Sequence, residues 1–357
     1  MNTEIITVSQ NDTDLNEKLA CAAACIKRGG LVVFPTETVY GLGGNALRAD
    51  AAERIYKAKG RPSDNPLIIH IANARDAAKY CHTNELFDRL AEIFWPGPLT
   101  MIAKKRDCIP AAVTGGMDTV AVRLPSDPIA RTLIALSDVP IAAPSANLSG
   151  HPSPTTKAHV IHDLSGRVDM IIAGEDARIG VESTVIKVDE NDVTVLRPGG
   201  VTYEDLCAIV GREHVKIDRV VTEKIEEGVA PLSPGMKYRH YAPIAPVHLL
   251  SGTEEAITAF LRRAAREDDA AFLVYDEDAH LLPPLRTKTL GRKNAPNEQA
   301  HKLFDCLRAF DEMKGISHIY ARLPEKAGIG LAVYNRLAKA AGFTVIDVES
   351  GEVGELK

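Results

Sequence analysis

Three observations predict an α/β chain of two domains. The 357 residues exceed one ordinary core, at about 150 residues per domain. Short apolar runs bounded by Pro and Gly alternate with amphipathic helical stretches over most of the chain. A Pro- and Gly-rich stretch without hydrophobic period interrupts that alternation before residue 247.

The elements follow in order. Residues 15–28 read as a helix: Leu15, Leu19, Ala22, Ala23 and Ile26 share a face, Asp12 to Asp14 offer a cap, and Gly29-Gly30 stops it. Leu31 to Phe34 is a buried strand, followed by a glycine-rich loop from Thr36 to Asn45. Asp50 caps a helix that Gly60 closes, and Pro66 to Ile71 is a strand. A helix from Leu86 breaks at Pro96-Gly97-Pro98. Leu99 to Ala103 and Val120 to Leu124 are strands, Pro128 to Leu136 a helix, and Pro140 to Ala143 a strand opening into a Ser/Gly/Pro loop that runs to Pro154. Met170 to Ala173, Ser183 to Val188 and Val193 to Leu196 complete a mixed sheet, and Thr202 to Val210 is a closing helix. Beyond the seam, strands at Val247, Ala271 and His318 alternate with helices near 253–266, 297–313 and 328–341, a pattern for a smaller, parallel-type sheet. The expected partition is 1–205, a linker over 206–246, and 247–357.

Composition excludes several classes. No apolar run approaches the roughly 18 residues of a membrane helix, and the polar N-terminus lacks a signal-peptide layout. Six cysteines without a C-x-x-C pair make no disulfide framework; Cys21 and Cys25, one helical turn apart, read either as half a metal site or as small residues on a buried helix face. A cytosolic enzyme or binding protein remains. Net charge is −6. Residues 1–205 carry 21 basic against 26 acidic side chains, a balance of −5, so a surface broadly basic for nucleic acid is excluded.

There is no P-loop, no G-x-G-x-x-G after a strand, no nucleophile elbow and no H-E-x-x-H. Two features stand out. Arg54, Lys57, Lys59 and Arg61 form a basic run ending at rigid Gly60 and Pro62; Arg suits carboxylates and phosphates, and Lys supplies a point charge. The alternative is a solvated helix face. The second feature is convergence at strand ends: Thr36, Glu37 and Thr38 after one strand, Arg123 at the end of another, Ser145 and Asn147 after a third, and Arg197-Pro198-Gly199 after the last. Ligands of α/β sheets bind outside such ends. His70 reads either as a core histidine or as a ligand, and Glu182-Ser183-Thr184 either as a hydroxyl donor or as a strand residue beside an exposed Glu.

Several motifs stand in one order: Phe34-Pro35-Thr36-Glu37-Thr38-Val39-Tyr40-Gly41-Leu42-Gly43, Lys57-Ala58-Lys59-Gly60-Arg61-Pro62, Trp95-Pro96-Gly97-Pro98-Leu99-Thr100, Pro144-Ser145-Ala146-Asn147-Leu148-Ser149-Gly150 and Leu196-Arg197-Pro198-Gly199. Over about residues 14–205 the chain resembles the YrdC family of threonylcarbamoyl-AMP synthases. Ser233-Pro234-Gly235-Met236-Lys237-Tyr238-Arg239-His240-Tyr241-Ala242-Pro243, with its α/β tail, resembles the long two-domain form.

The resemblance implies a YrdC-like twisted mixed sheet with a concave ligand groove, plus a smaller Rossmann-like C-terminal domain. It implies synthesis of L-threonylcarbamoyl-adenylate and pyrophosphate from L-threonine, bicarbonate or CO2, and ATP, for N6-threonylcarbamoyladenosine beside the tRNA anticodon. Lys59, Arg61, Ser145 and Asn147 would be the catalytic tetrad. ATP contacts would fall on Arg61, Asn65, Thr119, Ser145, Ser153 and Arg197, with Tyr238, His240 or Tyr241 of the linker closing over the nucleotide. Threonine contacts would fall on Thr38, His70, Arg123, Ala143 and Ser183. Mg2+ is expected with ATP, held mainly by phosphates and water, with no all-protein metal site. A tRNA threonylcarbamoyl-transfer machinery would consume the product; tight nucleic-acid binding is not expected. Rival readings are an RNA-binding sheet, disfavoured by acidity and few stacking aromatics, and a carbamoyl-transfer enzyme of the hydrogenase-maturation type, whose accessory segments are absent. Gly328 and Gly330 read as an anion cradle or as a plain helix start.

Overall fold

A computed structural model describes residues 2–223 and 241–356. These fall into two compact units, one over 2–149 and 153–218, the other over 150–152, 219–223 and 241–356.

In the first unit, strands β1 (Glu4–Thr7), β2 (Val32–Phe34), β3 (Gly41–Asn45), β4 (Ile68–His70), β5 (Leu99–Lys104), β6 (Thr119–Arg123), β7 (Ile141–Ala142), β8 (Met170–Ala173), β9 (Thr184–Val188), β10 (Val193–Arg197) and β11 (Val215–Ile217) form one mixed sheet. Its order is β1-β8-β2-β3-β7-β4-β6-β5-β9-β10-β11. Helices are α1 (Leu15–Lys27), α2 (Ala49–Lys59), α3 (Ala77–Tyr80), α4 (Glu85–Phe94), α5 (Ala111–Thr114), α6 (Pro128–Ser137), α7 (Lys157–Leu164) and α8 (Tyr203–Val210). Caps set the helix starts: Asn84 accepts from Phe87 N–H, Asp127 from Ala130 N–H, and Thr202 and Asp205 form a reciprocal capping box.

Strand alternation divides the apolar residues among three cores. Leu31, Val33, Ile69, Met101, Val120, Val122 and Ile186 face one side, where α2, α4 and α8 pack. On the other side α1 and α6 cover Val32, Phe34, Ile141, Met170 and Ile172 of β2, β7 and β8, and Ala143 just after β7. Further along that second face, Ile68, Ala121, Ile102, Val185 and Leu196 of β4, β6, β5, β9 and β10 form a separate small apolar floor.

Several expectations need correction. Gly41–Asn45 is a strand antiparallel to β2, not a loop. Glycine there reflects close packing: a Cβ on Gly43 would lie 2.7 Å from both Ile141 Cγ2 and Phe34 Cε1. The polar N-terminus contributes β1, an edge strand parallel to β8. The aperiodic stretch after residue 212 contributes β11. Asp14 sits at the start of α1 without capping it; its carboxylate pairs with Lys18 at 3.1 Å. Cys25 is buried, but Cys21 on the same helix is exposed.

In the second unit β12 (Val247–Ser251), β13 (Ala270–Val274), β14 (Thr287–Thr289), β15 (His318–Arg322), β16 (Thr344–Asp347) and β17 (Val353–Glu355) order as β14-β13-β15-β12-β16-β17. All pairs are parallel except β16 with β17. Helices α9 (Glu254–Ala264), α10 (Pro296–Asp311) and α11 (Gly330–Ala340) alternate with them, and α11 is buried along its whole length.

Candidate functional site

Strand direction gathers the polar residues. β4 and β6 run parallel with His70 opposite Arg123, and β5 runs antiparallel to β6 with Thr100 opposite Arg123. The three therefore share a row on the face that carries the small apolar floor. β9 runs parallel to β5, which brings Ser183, just before β9, to the same end. A register irregularity between Val195 and Arg197 sets Arg197 opposite Val185, on the floor side.

Contacts bind this row. Arg197 donates from Nη2 to Ser183 Oγ at 3.1 Å and from Nε to Ser183 O at 3.0 Å. Ser183 Oγ and Thr100 Oγ1 are 2.8 Å apart. Arg123, 4% exposed, lies 2.9 Å through Nη2 from Glu37 Oε1. The two atoms are close but poorly aligned, so the contact is an ion pair without a formed hydrogen bond. Burial is the largest single influence and raises the Glu37 carboxyl, but the Arg123 charge, the close approach of its guanidinium and the backbone N–H groups of Ser126 and Glu37 together outweigh it and leave the group below its usual range. His70 is buried, with its ring edge-on to Phe34 and Nδ1 3.4 Å from Ile141 O. Burial first, and the Arg123 charge second, push its imidazole down to about 3, so it is neutral at pH 7. Thr38 Oγ1 meets Thr36 Oγ1 at 2.9 Å. Ala143 spends its N–H on Ile68 O.

A second group lies at the opposite ends of β4 and β6. Thr119 opens β6, four residues or roughly 13 Å from Arg123 on the same face. Arg61 donates to Asn65 O at 3.2 Å and Pro66 O at 3.1 Å, just before β4. Asn65 is 1% exposed, and neither its Oδ1 nor its Nδ2 has a partner, a rare state for a buried amide.

The third group fixes the loop after β7. Lys59, the last residue of α2, is buried because Gly60 at φ +63° ends the helix there. Its Nζ donates to Ser145 O at 2.5 Å, to Asn147 O, and to Asn147 Oδ1 at 3.4 Å. Ser145 Oγ donates to the same Oδ1 at 2.6 Å. The basic run thus divides. Lys59 holds the loop after β7 and Arg61 the residues just before β4, whereas Arg54 binds Gly29 O and Asp169, and Lys57 is exposed.

Glu182 is buried, not exposed, and accepts from Ser153 Oγ. Thr100 escaped the residue-level expectation, and Glu37 was expected only as one of several polar groups at a strand end, without a ligand assigned to it; nothing local in sequence pairs them with Ser183 and Arg123. In the second unit the Tyr241 ring lies 5.2 Å from Phe304 with Arg336 over it, while Tyr238 and His240 fall outside the described residues. Glu267, Asp269 and His318 bring possible metal-ligand atoms within 4.8 Å, but they are bonded among themselves and to Ser317. No helix among the described residues is long and apolar enough to cross a membrane.

Fold and candidate site together define an α/β protein that gathers buried polar and cationic side chains around an apolar sheet floor. The chain belongs to the threonylcarbamoyl-AMP synthase family. The family model described as "Telomere recombination" matches residues 24–199, and that described as "Threonylcarbamoyl-AMP synthase, C-terminal domain" matches 201–342. The threonylcarbamoyl-AMP synthase of Bacillus subtilis is 45% identical over 92% of this chain and 94% of its own. That of Pyrococcus abyssi is 45% identical over 93% and 96%. The crystal structure of P. abyssi Sua5 complexed with L-threonine superposes with a TM-score of 0.87 at 43% identity, covering 97% of this chain and 99% of that one. Both the twisted mixed sheet and the second, smaller sheet domain are features of these Sua5 structures.

Proposed function

We propose that the chain condenses L-threonine, CO2 or bicarbonate, and ATP into L-threonylcarbamoyl-adenylate and pyrophosphate, and that the product serves N6-threonylcarbamoyladenosine formation beside the tRNA anticodon. One observation carries this reading. Three of the residues expected to hold threonine (His70, Arg123, Ser183) and three of those expected to hold nucleotide (Arg61, Asn65, Thr119) occupy opposite ends of one apolar floor, while Arg197, also expected at the nucleotide, lies in the threonine row against Ser183. A relative of 43% identity was solved with L-threonine, which supports the amino-acid half.

The amine of threonine attacks the carbon of CO2, and the amine proton leaves. The resulting carbamate oxygen attacks the α-phosphorus of ATP, and the bond to pyrophosphate breaks. The carbamate, the threonine carboxylate and the ATP phosphates are all anionic, so placed cations offset the repulsion that keeps them apart. The Arg123 guanidinium suits the threonine carboxylate. His70, with Nδ1–H directed at Ile141 O, keeps an Nε2 lone pair for a substrate hydroxyl or amine. The unpartnered Asn65 amide offers both a donor and an acceptor to a nucleotide. Arg61 supplies a cation to the phosphates. Lys59 holds the Ser145–Asn147 loop in the shape that presents Ser145.

The buried carboxylates fit a metal that travels with its substrate. Glu37 is charge-balanced by Arg123 and Glu182 accepts from Ser153, so Mg2+ would be held mainly by the phosphates and water, where it neutralises charge.

Pyrophosphate release from ATP in bicarbonate buffer, with and without L-threonine, tests the reading. Threonine-dependent release is expected. Release that ignores threonine, or none, overturns it.

A further inference from the structure

We propose that Glu37 accepts the amino group of the amino-acid substrate and forms, with Arg123, a clamp that reads the zwitterion. The inference deepens the reading above and rests on it for the identity of the ligand.

Glu37 stands three residues beyond β2 and is 5% exposed. A carboxylate has about four lone-pair positions. Neither oxygen of Glu37 meets a donor at full hydrogen-bond geometry, although the Arg123 guanidinium and the backbone N–H groups of Ser126 and of Glu37 itself help hold its charge, and Arg123 Nη2, 2.9 Å away, is likewise short of a well-aligned partner. Buried polar groups are nearly always hydrogen-bonded, so unsatisfied atoms on both members of one ion pair mark a place for a ligand. That ligand needs an acceptor for Arg123 and a donor for Glu37, close together. An α-amino acid carries its carboxylate and its amine on one carbon. Laid antiparallel on the Glu37–Arg123 pair, it satisfies both. The amine keeps N–H bonds to donate in either protonation state, so the contact persists when it becomes a nucleophile. The neutral His70 brings no competing cation to Glu37.

The alternative role, in which Glu37 only steadies Arg123, makes a different prediction. Loss of Glu37 would then weaken every ligand whose carboxylate binds Arg123, with or without an amine. The experiment measures binding of L-threonine and of its deamino analogue, 3-hydroxybutanoate, to the full chain by calorimetry, for wild type and Glu37→Gln. Wild type should prefer L-threonine by about 10- to 100-fold, the worth of a charged hydrogen bond. In Glu37→Gln that preference should fall to within about threefold, through weaker threonine binding and unchanged analogue binding. An unchanged preference, or equal loss for both ligands, overturns the role of Glu37 while leaving the proposed function intact. Failure of wild type to bind L-threonine overturns the function itself. Circular dichroism monitors folding. Should Glu37→Gln not fold, Glu37→Asp, which keeps the charge but withdraws it by one methylene, must reduce the preference without affecting the analogue.

Discussion

Lys59→Met removes an ammonium from a buried position while nearly conserving side-chain length. The ammonium contacts three acceptors, two of them at short range. Hydrogen bonds to a charged group contribute about 1.5–3 kcal/mol each. The two short contacts thus stabilise by roughly 3–6 kcal/mol before the cost of burying the charge is set against them. Some of that cost is recovered in Met, but Ser145 O and Asn147 O are left unpaired, and the net loss is about 2–4 kcal/mol. For a unit of this size each kcal/mol lowers the melting temperature by about 2–4 °C, so a fall of roughly 5–15 °C is expected in a calorimetric scan. Amide exchange should report the local origin: Ser149 N–H, bonded to Lys59 O, should exchange faster, while the β8 amides stay protected. Turnover, read as threonine-dependent pyrophosphate release, should fall by about 100-fold or more as the loop loses its shape. Lys59→Arg should not restore it, since a planar fork does not suit three converging carbonyl-type acceptors. A Lys59→Met protein that melts within 1 °C of wild type and keeps its turnover would refute the reasoning.

Arg61→Ala should cut turnover by about 100-fold with little change in melting, whereas Arg54→Ala should cost at most about 1 kcal/mol of stability and leave turnover alone; paired melting and pyrophosphate assays distinguish them. His70 is depressed to about 3 in the fold against 6.5 when unfolded, so the unfolded chain binds its proton first as pH falls. Its contribution to stability is complete above pH 6.5 and is lost progressively from there toward 3; wild type should therefore lose more stability than His70→Asn on going from pH 7 to 4.5 in urea titrations. Asp127 is raised from 3.8 to about 6 by burial, so stability falls as pH rises between those values and the loss is complete above about 6; Asp127→Asn, which keeps a capping oxygen for Ala130, should stabilise the protein at pH 8 and have little effect below pH 3.8. Gly43→Ala should destabilise by about 1–3 kcal/mol, as its methyl meets Ile141 and Phe34, and denaturant midpoints will show it.

What could be read in advance followed the reach of the physics involved. The helices α1, α2, α4, α6 and α9 to α11 carry their own apolar period and stops, so local sequence is enough. β3 was not legible because four glycine-rich residues look like a turn; the reason for glycine is the approach of Phe34 and Ile141, and Ile141 lies almost 100 residues further on. β1 and β11 lack clear apolar alternation because they close the two edges of the sheet. At the site, motif residues such as Arg61, Ser145, Asn147 and Arg197 were visible as types, but their pairings were not. Glu37 with Arg123, and Thr100 with Ser183, are brought together by strand order and register, which one sequence does not encode locally. The division of the basic run between Arg54 and Lys59 likewise depends on where α2 ends.

The five residues of β6 act as a ruler. Thr119 and Arg123 share a face only because an even number of positions separates them, and Ala121 of the floor sits at the midpoint. Inserting or deleting one residue between them would turn one end of the strand into the opposite core while the other stayed in place. The spacing between the two ends of the floor is therefore fixed by backbone pleat, and evolution can exchange the groups at either end far more easily than it can change the distance between them.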